Sequence, residues 1–225
     1  MTRKVGMIHS IAFMVPVFGE VAAEIMPGVE VIHLVDEGLL KDIWATGKLT
    51  DSMARRMGLL GSFAEESGAE VVMLTCSSLG PLVDTAKDMI KVPFLKIDEA
   101  MADEAAKLGD RIGIIATAFT TLGPTSDLIK ERAALQGKKV AVETVLCEGA
   151  FEARFRGDND THDRIVKENL KKLMKRVQVV VLAQASITRV IEQIPEAERI
   201  VPILSSPRLG IQRLKEALER LTPKA

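Results

Sequence analysis

Val71-Val72-Met73-Leu74-Thr75-Cys76-Ser77-Ser78 is an apolar run that stops at small polar residues, and the chain carries it twice. The second copy is Val179-Val180-Val181-Leu182-Ala183-Gln184-Ala185-Ser186, with Gln184 where the first has Cys76 (184 − 76 = 108). A short Val-rich run bounded by Ser77-Ser78-Leu79-Gly80-Pro81 reads as a buried strand of a parallel sheet. Three more pairs lie around it in the same order. Arg3-Lys4-Val5-Gly6-Met7-Ile8 matches Asp110-Arg111-Ile112-Gly113-Ile114-Ile115 (113 − 6 = 107). Glu37-Gly38 matches Glu148-Gly149 (148 − 37 = 111), and Val92-Pro93-Phe94-Leu95 matches Val201-Pro202-Ile203-Leu204 (201 − 92 = 109). Self-similarity at a near-constant spacing is the mark of a duplicated unit.

Each half alternates strands with helices. Val- and Ile-rich runs predict strands at about 4–9, 29–34, 71–75 and 93–96, and again at about 111–116, 140–146, 178–182 and 199–204. Thr50 or Asp51, and later Thr161, are candidate helix caps. Pro16, Pro81, Pro124 and Pro207 fall where first helical turns are expected. The expected fold class is α/β, with two pseudo-symmetric lobes. Each is a four-stranded, mainly parallel, doubly wound sheet, and the expected active site lies in the cleft between them. No Gly/Ser-rich linker separates the halves.

Composition narrows the function. Of 225 residues, 47% are hydrophobic and 27% charged, with a formal net charge of −1. That balance argues against nucleic-acid or membrane-surface partners. Two cysteines are too few for a disulfide framework, so a reducing, cytoplasmic setting is expected. Arg3 and Lys4 precede an apolar stretch, but His9, Ser10 and Pro16 interrupt it and no A-x-A site follows. Cys76 and Cys147 with the scattered His9, His33 and His162 show no metal-ligand spacing, and neither phosphate-loop motif occurs. The expectation is chemistry without a metal or nucleotide. A homo-oligomer is left open.

In open parallel sheets ligands bind beyond the carboxyl ends of the strands, where the strand order reverses. In a flavodoxin-like order that point lies between strands one and three. His9, Ser10, Cys76, Ser77 and Ser78 fall there in the first half; Thr117, Gln184, Ala185 and Ser186 fall there in the second. A thiol leaving a strand at the start of a helical segment is favoured as thiolate, so Cys76 is the candidate catalytic group. A buried structural thiol is the alternative. His9 is a candidate to orient the substrate or supply a proton, or else a hydrogen-bonded wall. Ser10, Ser77, Ser78, Thr117, Gln184 and Ser186 are candidate substrate-binding residues. Cys147 ends the second strand of its half, at a sheet edge, and reads as structural. Trp44, Arg154 and Arg156 lie in segments 36–48 and 149–160, read as loops that set specificity.

Thr75-Cys76-Ser77-Ser78-Leu79-Gly80, in a duplicated chain, resembles the aspartate/glutamate/hydantoin racemase superfamily. So does Ser205-Ser206-Pro207-Arg208-Leu209-Gly210 near the end, which is similar to that family's closing strand-to-helix turn. The resemblance covers essentially the whole chain. It implies lobe one at 1–97 plus 207–225, and lobe two at 98–206. It also implies cofactor-free chemistry with two cysteines facing each other across the substrate, one from each lobe. Relatives of that family include maleate isomerases, whose cysteine adds to a double bond, and arylmalonate decarboxylases, which protonate an enediolate with one cysteine. Cys76 matches the first cysteine; Gln184 stands at the second. Glutamine is no acid or base near neutral pH, but it hydrogen-bonds carboxylates and oxyanions. A single thiol suits one-face proton transfer, nucleophilic addition or protonation after decarboxylation. The reading is therefore a cofactor-independent isomerase or racemase of a small carboxylic acid. The alternatives are a single-cysteine decarboxylase and a carboxylate-binding protein without catalysis.

Overall fold

The computed structural model describes residues 2–221. The chain divides into two compact units, 1–97 with 207–225, and 98–206. In the first, strands β1 (Lys4–His9), β2 (Glu30–Val35), β3 (Val71–Leu74) and β4 (Phe94–Lys96) form one parallel sheet in the order β2-β1-β3-β4. Helices α1 (Met14–Ile25), α2 (Glu37–Thr46), α3 (Asp51–Glu66) and α4 (Val83–Ala86) connect them. The second unit opens with α5 (Glu99–Leu108). Its strands β5 (Arg111–Ala116), β6 (Ala141–Leu146), β7 (Val179–Leu182) and β8 (Ile203–Ser205) repeat the order β6-β5-β7-β8. It also holds α6 (Phe119–Leu135), α7 (Ala150–Phe155), α8 (Asn159–Met174) and α9 (Arg189–Glu192). The last helix, α10 (Ser206–Arg220), lies with the first unit from Pro207 onward. No described helix is long and apolar enough to cross a membrane.

The central strands are buried on both faces, which is why they read as unbroken apolar runs. Each unit has its own apolar cluster. One gathers Ile8, Leu39, Met57, Leu74 and Leu79; the other gathers Ile115, Val166, Leu170, Leu182 and Ile187. Thr50 caps α3, its hydroxyl accepting from Met53 N at 3.3 Å.

Local expectations differ from the structure where a short side chain competes. Asp158, not Thr161, caps α8: its carboxylate accepts from Thr161 N at 3.0 Å. Pro124 lies inside α6, where it removes one backbone donor, and not in a first turn. The last strand begins at Ile203 and not near 199, because Glu196–Glu198 forms a 3-10 turn before Pro202. Segments 36–48 and 149–160 are not simple loops. Asp36 caps α2 through Gly38 N at 2.9 Å, and Arg56 braces Asp36 and Asp42, each at 2.6 Å. Trp44 is therefore helical, as is Arg154 in α7, while Arg156 follows that helix.

Gly6 and Gly113 occupy the same place in the two sheets, and the reason is contact. A Cβ on Gly6 would sit 2.7 Å from Ala64 Cβ on α3; on Gly113 it would sit 2.8 Å from Leu173 Cγ on α8. Ala64 is too short to swing aside, so Gly6→Ala forces helix and strand apart. Its expected cost is roughly 1–3 kcal/mol, read as a lower urea midpoint with unchanged slope. A midpoint equal to wild type would show that the approach has slack.

Candidate active site

In the first unit the candidate residues lie at the carboxyl end of β1 and β3. Thr75 N donates to Ile8 O at 3.0 Å, so the chain leaves β3 beside the end of β1. Cys76 then takes an extended conformation, φ −121 and ψ 109, and a 3-10 turn follows over Ser77–Leu82. The thiol is half-buried, packed on the cluster that holds Leu79. Ser10, Ser77 and Ser78 are all buried nearby in sequence and topology. The helical segment after Cys76 is broken: the 3-10 turn contains Gly80-Pro81, and α4 spans only Val83–Ala86. Its dipole is weaker than a continuous helix would supply.

His9 is the last residue of β1. It is fully buried, and both ring nitrogens are engaged. Thr75 Oγ1 lies 3.1 Å from Ile8 O and 2.9 Å from His9 Nδ1. A carbonyl only accepts, so the hydroxyl donates to it and accepts from His9 Nδ1–H. In the neutral ring Nε2 is then an acceptor, and His33 Nδ1–H donates to it at 2.9 Å. The rings stack with centroids 5.1 Å apart. Burial, and then His33 alongside, push the His9 imidazolium down to about 4. These bonds form a neutral chain from His33 through His9 to Thr75, under the residue that precedes Cys76. Thr75 and His33 escape a sequence reading. The available signal was that positions 9 and 33 face the same side of adjacent strands.

The second unit has the same backbone and another chemistry. Ala183 N donates to Ile115 O at 3.0 Å, and Gln184 is extended, φ −136 and ψ 132. The Gln184 side chain turns onto the end of β5. Its Oε1 accepts from Thr117 N at 2.6 Å, Ala118 N at 3.1 Å and Thr117 Oγ1 at 3.1 Å. Two backbone donors settle the amide orientation: the oxygen faces them and Nε2 faces away. Thr117 and Gln184 thus meet as expected, but bonded to each other. Ser186 is half-buried in the Ala185–Ile187 turn.

Other polar groups have structural work. Cys147 follows edge strand β6, is fully buried, and burial pushes its thiol up to about 12. Both cysteines are thiols. Asp163 on α8 takes hydrogen bonds from His162 (2.7 Å), Gln193 (2.7 Å) and Arg189 (2.6 Å), tying α8 to the segment after Gln184. Burial works against its charge, but these partners hold the carboxyl below its ordinary value. Among the described residues no group of His, Cys, Asp and Glu is placed to hold a metal ion.

Comparison with known proteins agrees with this architecture. Residues 10–214 match the family described as Asp/Glu/Hydantoin racemase. A search of curated proteins gave no match. Among solved structures, a glutamate racemase isoform from Bacillus anthracis is similar at TM-score 0.75 and 14% identity, over 96% of this chain and 82% of that one. An allantoin racemase from Klebsiella pneumoniae gives TM-score 0.73 and 15% identity, over 96% and 88%. An aspartate racemase from Picrophilus torridus gives 0.69 and 15%, over 96% and 94%. At such identities the likeness speaks for the fold.

The buried His9 makes stability depend on acid. The unfolded chain takes up this proton near 6.5, the folded one only near about 4. Between those values the unfolded state binds more protons, so stability falls as pH falls, by about 3 kcal/mol at pH 4. His9→Gln should flatten that part of the slope in urea titrations across the window. A variant with the wild-type slope would show that His9 is not the group responsible.

Proposed function

The chain belongs to the Asp/Glu/hydantoin racemase family and is an enzyme of the racemase and isomerase type; we propose that it acts, without a cofactor, on a small carboxylic acid through Cys76. The structural neighbours named above are racemases of aspartate, glutamate and allantoin. Their common chemistry is a proton next to a carbonyl group. The observation that carries the reading is Cys76 at the end of β3, with buried Ser10, Ser77 and Ser78 in the same carboxyl-end region.

For a saturated acid, Cys76 as thiolate takes the α-proton and leaves an enediolate; the resulting thiol returns a proton to carbon. For an unsaturated acid, the thiolate adds to the double bond, the new single bond rotates, and elimination restores thiolate and alkene. Serine hydroxyls and backbone N–H groups stabilise the developing oxyanion. Full inversion needs a second proton donor on the opposite face. Gln184 does not titrate, and His9 is neutral with both nitrogens occupied. His9 acts here as a positioning residue through Thr75. Gln184, braced by Thr117, lines the second unit's strand end as a binding residue through its outward amide N–H, with Ser186 in the next turn.

The absence of a second thiol at position 184 favours one further reading, a single-cysteine decarboxylase. There a malonate-type acid loses carbon dioxide, and the enediolate left behind takes its proton from the Cys76 thiol, which water then reprotonates.

The deciding experiment incubates wild type and Cys76→Ala in heavy water with amino, hydroxy, unsaturated and malonate-type acids, followed by proton NMR. Deuterium exchange, inversion or cis–trans conversion that depends on Cys76 is the expected result. Carboxyl loss with deuterium gained selects the decarboxylase. An acid that binds yet undergoes no Cys76-dependent change would overturn both in favour of a binding protein.

A further inference from the structure

The two halves can be superimposed residue by residue from their hydrogen bonds alone. Ile8 pairs with Leu74, and Ile115 with Leu182. Thr75 N bonds Ile8 O and Ala183 N bonds Ile115 O, both at 3.0 Å. Leu79 N bonds Cys76 O and Ile187 N bonds Gln184 O, both at 3.2 Å. Ser10 therefore corresponds to Thr117, Ile11 to Ala118, and Cys76 to Gln184. In the second unit these positions hold an oxygen: Thr117 N, Ala118 N and the Thr117 hydroxyl all donate to Gln184 Oε1. In the first unit the same donors exist. Ser10 N–H and Ile11 N–H follow the strand in the same way, and Ser10 carries a hydroxyl like Thr117. Ser10 is 5% exposed, and neither its hydroxyl nor these two N–H groups has a hydrogen-bond partner among the described residues. The cysteine side chain at the equivalent position is shorter and carries no carbonyl oxygen. Ser10 is buried and Ile11 half-buried, and donors without a protein acceptor are the groups that a ligand oxygen satisfies.

We propose that the fold carries the same three-donor oxygen seat twice: Gln184 fills it in the second unit, and in the first, Ser10 N–H, Ile11 N–H and the Ser10 hydroxyl hold a carboxylate or oxyanion oxygen of the ligand beside Cys76. The second unit supplies the geometry, because its occupant is a planar sp² oxygen like that of a carboxylate. The turn already binds one carboxylate: Glu37 Oε1 accepts from Ala12 N at 3.1 Å. Glu37 is also the like charge against which a bound anion must be held. The seat rests on the carboxylic-acid reading above and adds where one oxygen of that acid sits. It also separates the halves: Thr117 N, Ala118 N and the Thr117 hydroxyl are spent on Gln184 and do not hold substrate.

The test exchanges the two side chains and reads binding without chemistry. Acetate is titrated into full-length ¹⁵N-labelled protein at constant ionic strength. Cys76→Ala keeps the first seat, so acetate should shift the Ser10 and Ile11 amides saturably. Cys76→Gln brings in the second unit's own occupant, and acetate binding at those amides should weaken by at least about tenfold. Gln184→Ala should make the Thr117 and Ala118 amides respond to acetate, which they do not in wild type. This last variant leaves the first unit's sequence intact and so stands even where Cys76→Gln unfolds. Unmoved Ser10 and Ile11 amides in Cys76→Ala, equal responses in Cys76→Ala and Cys76→Gln, or silent Thr117 and Ala118 amides in Gln184→Ala would each overturn the duplicated seat. Because Cys76→Ala has no thiol, these results are independent of whether Cys76 catalyses any reaction.

Discussion

One pairing carries the rest of each unit: the central strand against the strand that follows the crossover, β1 against β3 and β5 against β7. Its last rung, an N–H from residue 75 or 183 to the carbonyl of residue 8 or 115, fixes where the chain may leave the sheet. Everything with chemical character hangs on that exit. Cys76 and Gln184 are the next residues along, and Ser10 and Thr117 lie just past the ends of the partner strands. The close helix approach at Gly6 and Gly113 serves the same end. It draws α3 and α8 onto the centre of their sheets, so the paired strands are dry and the register has no freedom to slip.

Given identical exits, the halves diverge in what lies beneath them. The first places His9 and Thr75 at positions where the second has Ala116 and Ala183. A buried imidazole is expensive unless both nitrogens are satisfied. Here they are satisfied in a single direction, from His33 through His9 to Thr75 and on to a main-chain carbonyl. That chain stiffens the segment immediately before Cys76. The second unit does without it, because Gln184 anchors its own strand end through three hydrogen bonds from Thr117 and Ala118. Each half thus fixes its strand end by a polar device, one behind Cys76 and one made by Gln184 itself.

Much of this was legible in the chain. Apolar runs gave β1 and β5 their full bounds, since strands buried on both faces have no polar alternation to confuse the reading. The repeat aligned Cys76 with Gln184 correctly, because the hydrogen-bonded exit keeps the spacing. Helix detail was less legible. Segments 36–48 and 149–160 look like loops because Gly38, Gly149 and Gly157 break the periodicity, yet the Asp36 cap and Arg56 brace hold the first as helix. Thr161 has the composition of a cap, but Asp158 stands nearer the first free N–H groups. The role of His9 was illegible for a different reason. Its partners, Thr75 and His33, are 66 and 24 residues away, and no local pattern names them.

Gln184 shows how much turns on polarity rather than on residue type. As a sequence letter it is a generic hydrogen-bonding substitute for a cysteine, equally able to give or accept. Folded, it has one orientation, because two main-chain N–H groups meet its oxygen and a reversed amide would set donor against donor. What it presents outward is therefore only N–H, a group that stabilises negative charge and takes no proton. The duplicated position has exchanged a titrating group for a fixed dipole, while the first keeps its thiol. Two equivalent backbones thus present different groups: a thiol at Cys76, and at Gln184 an amide N–H that polarises but does not titrate.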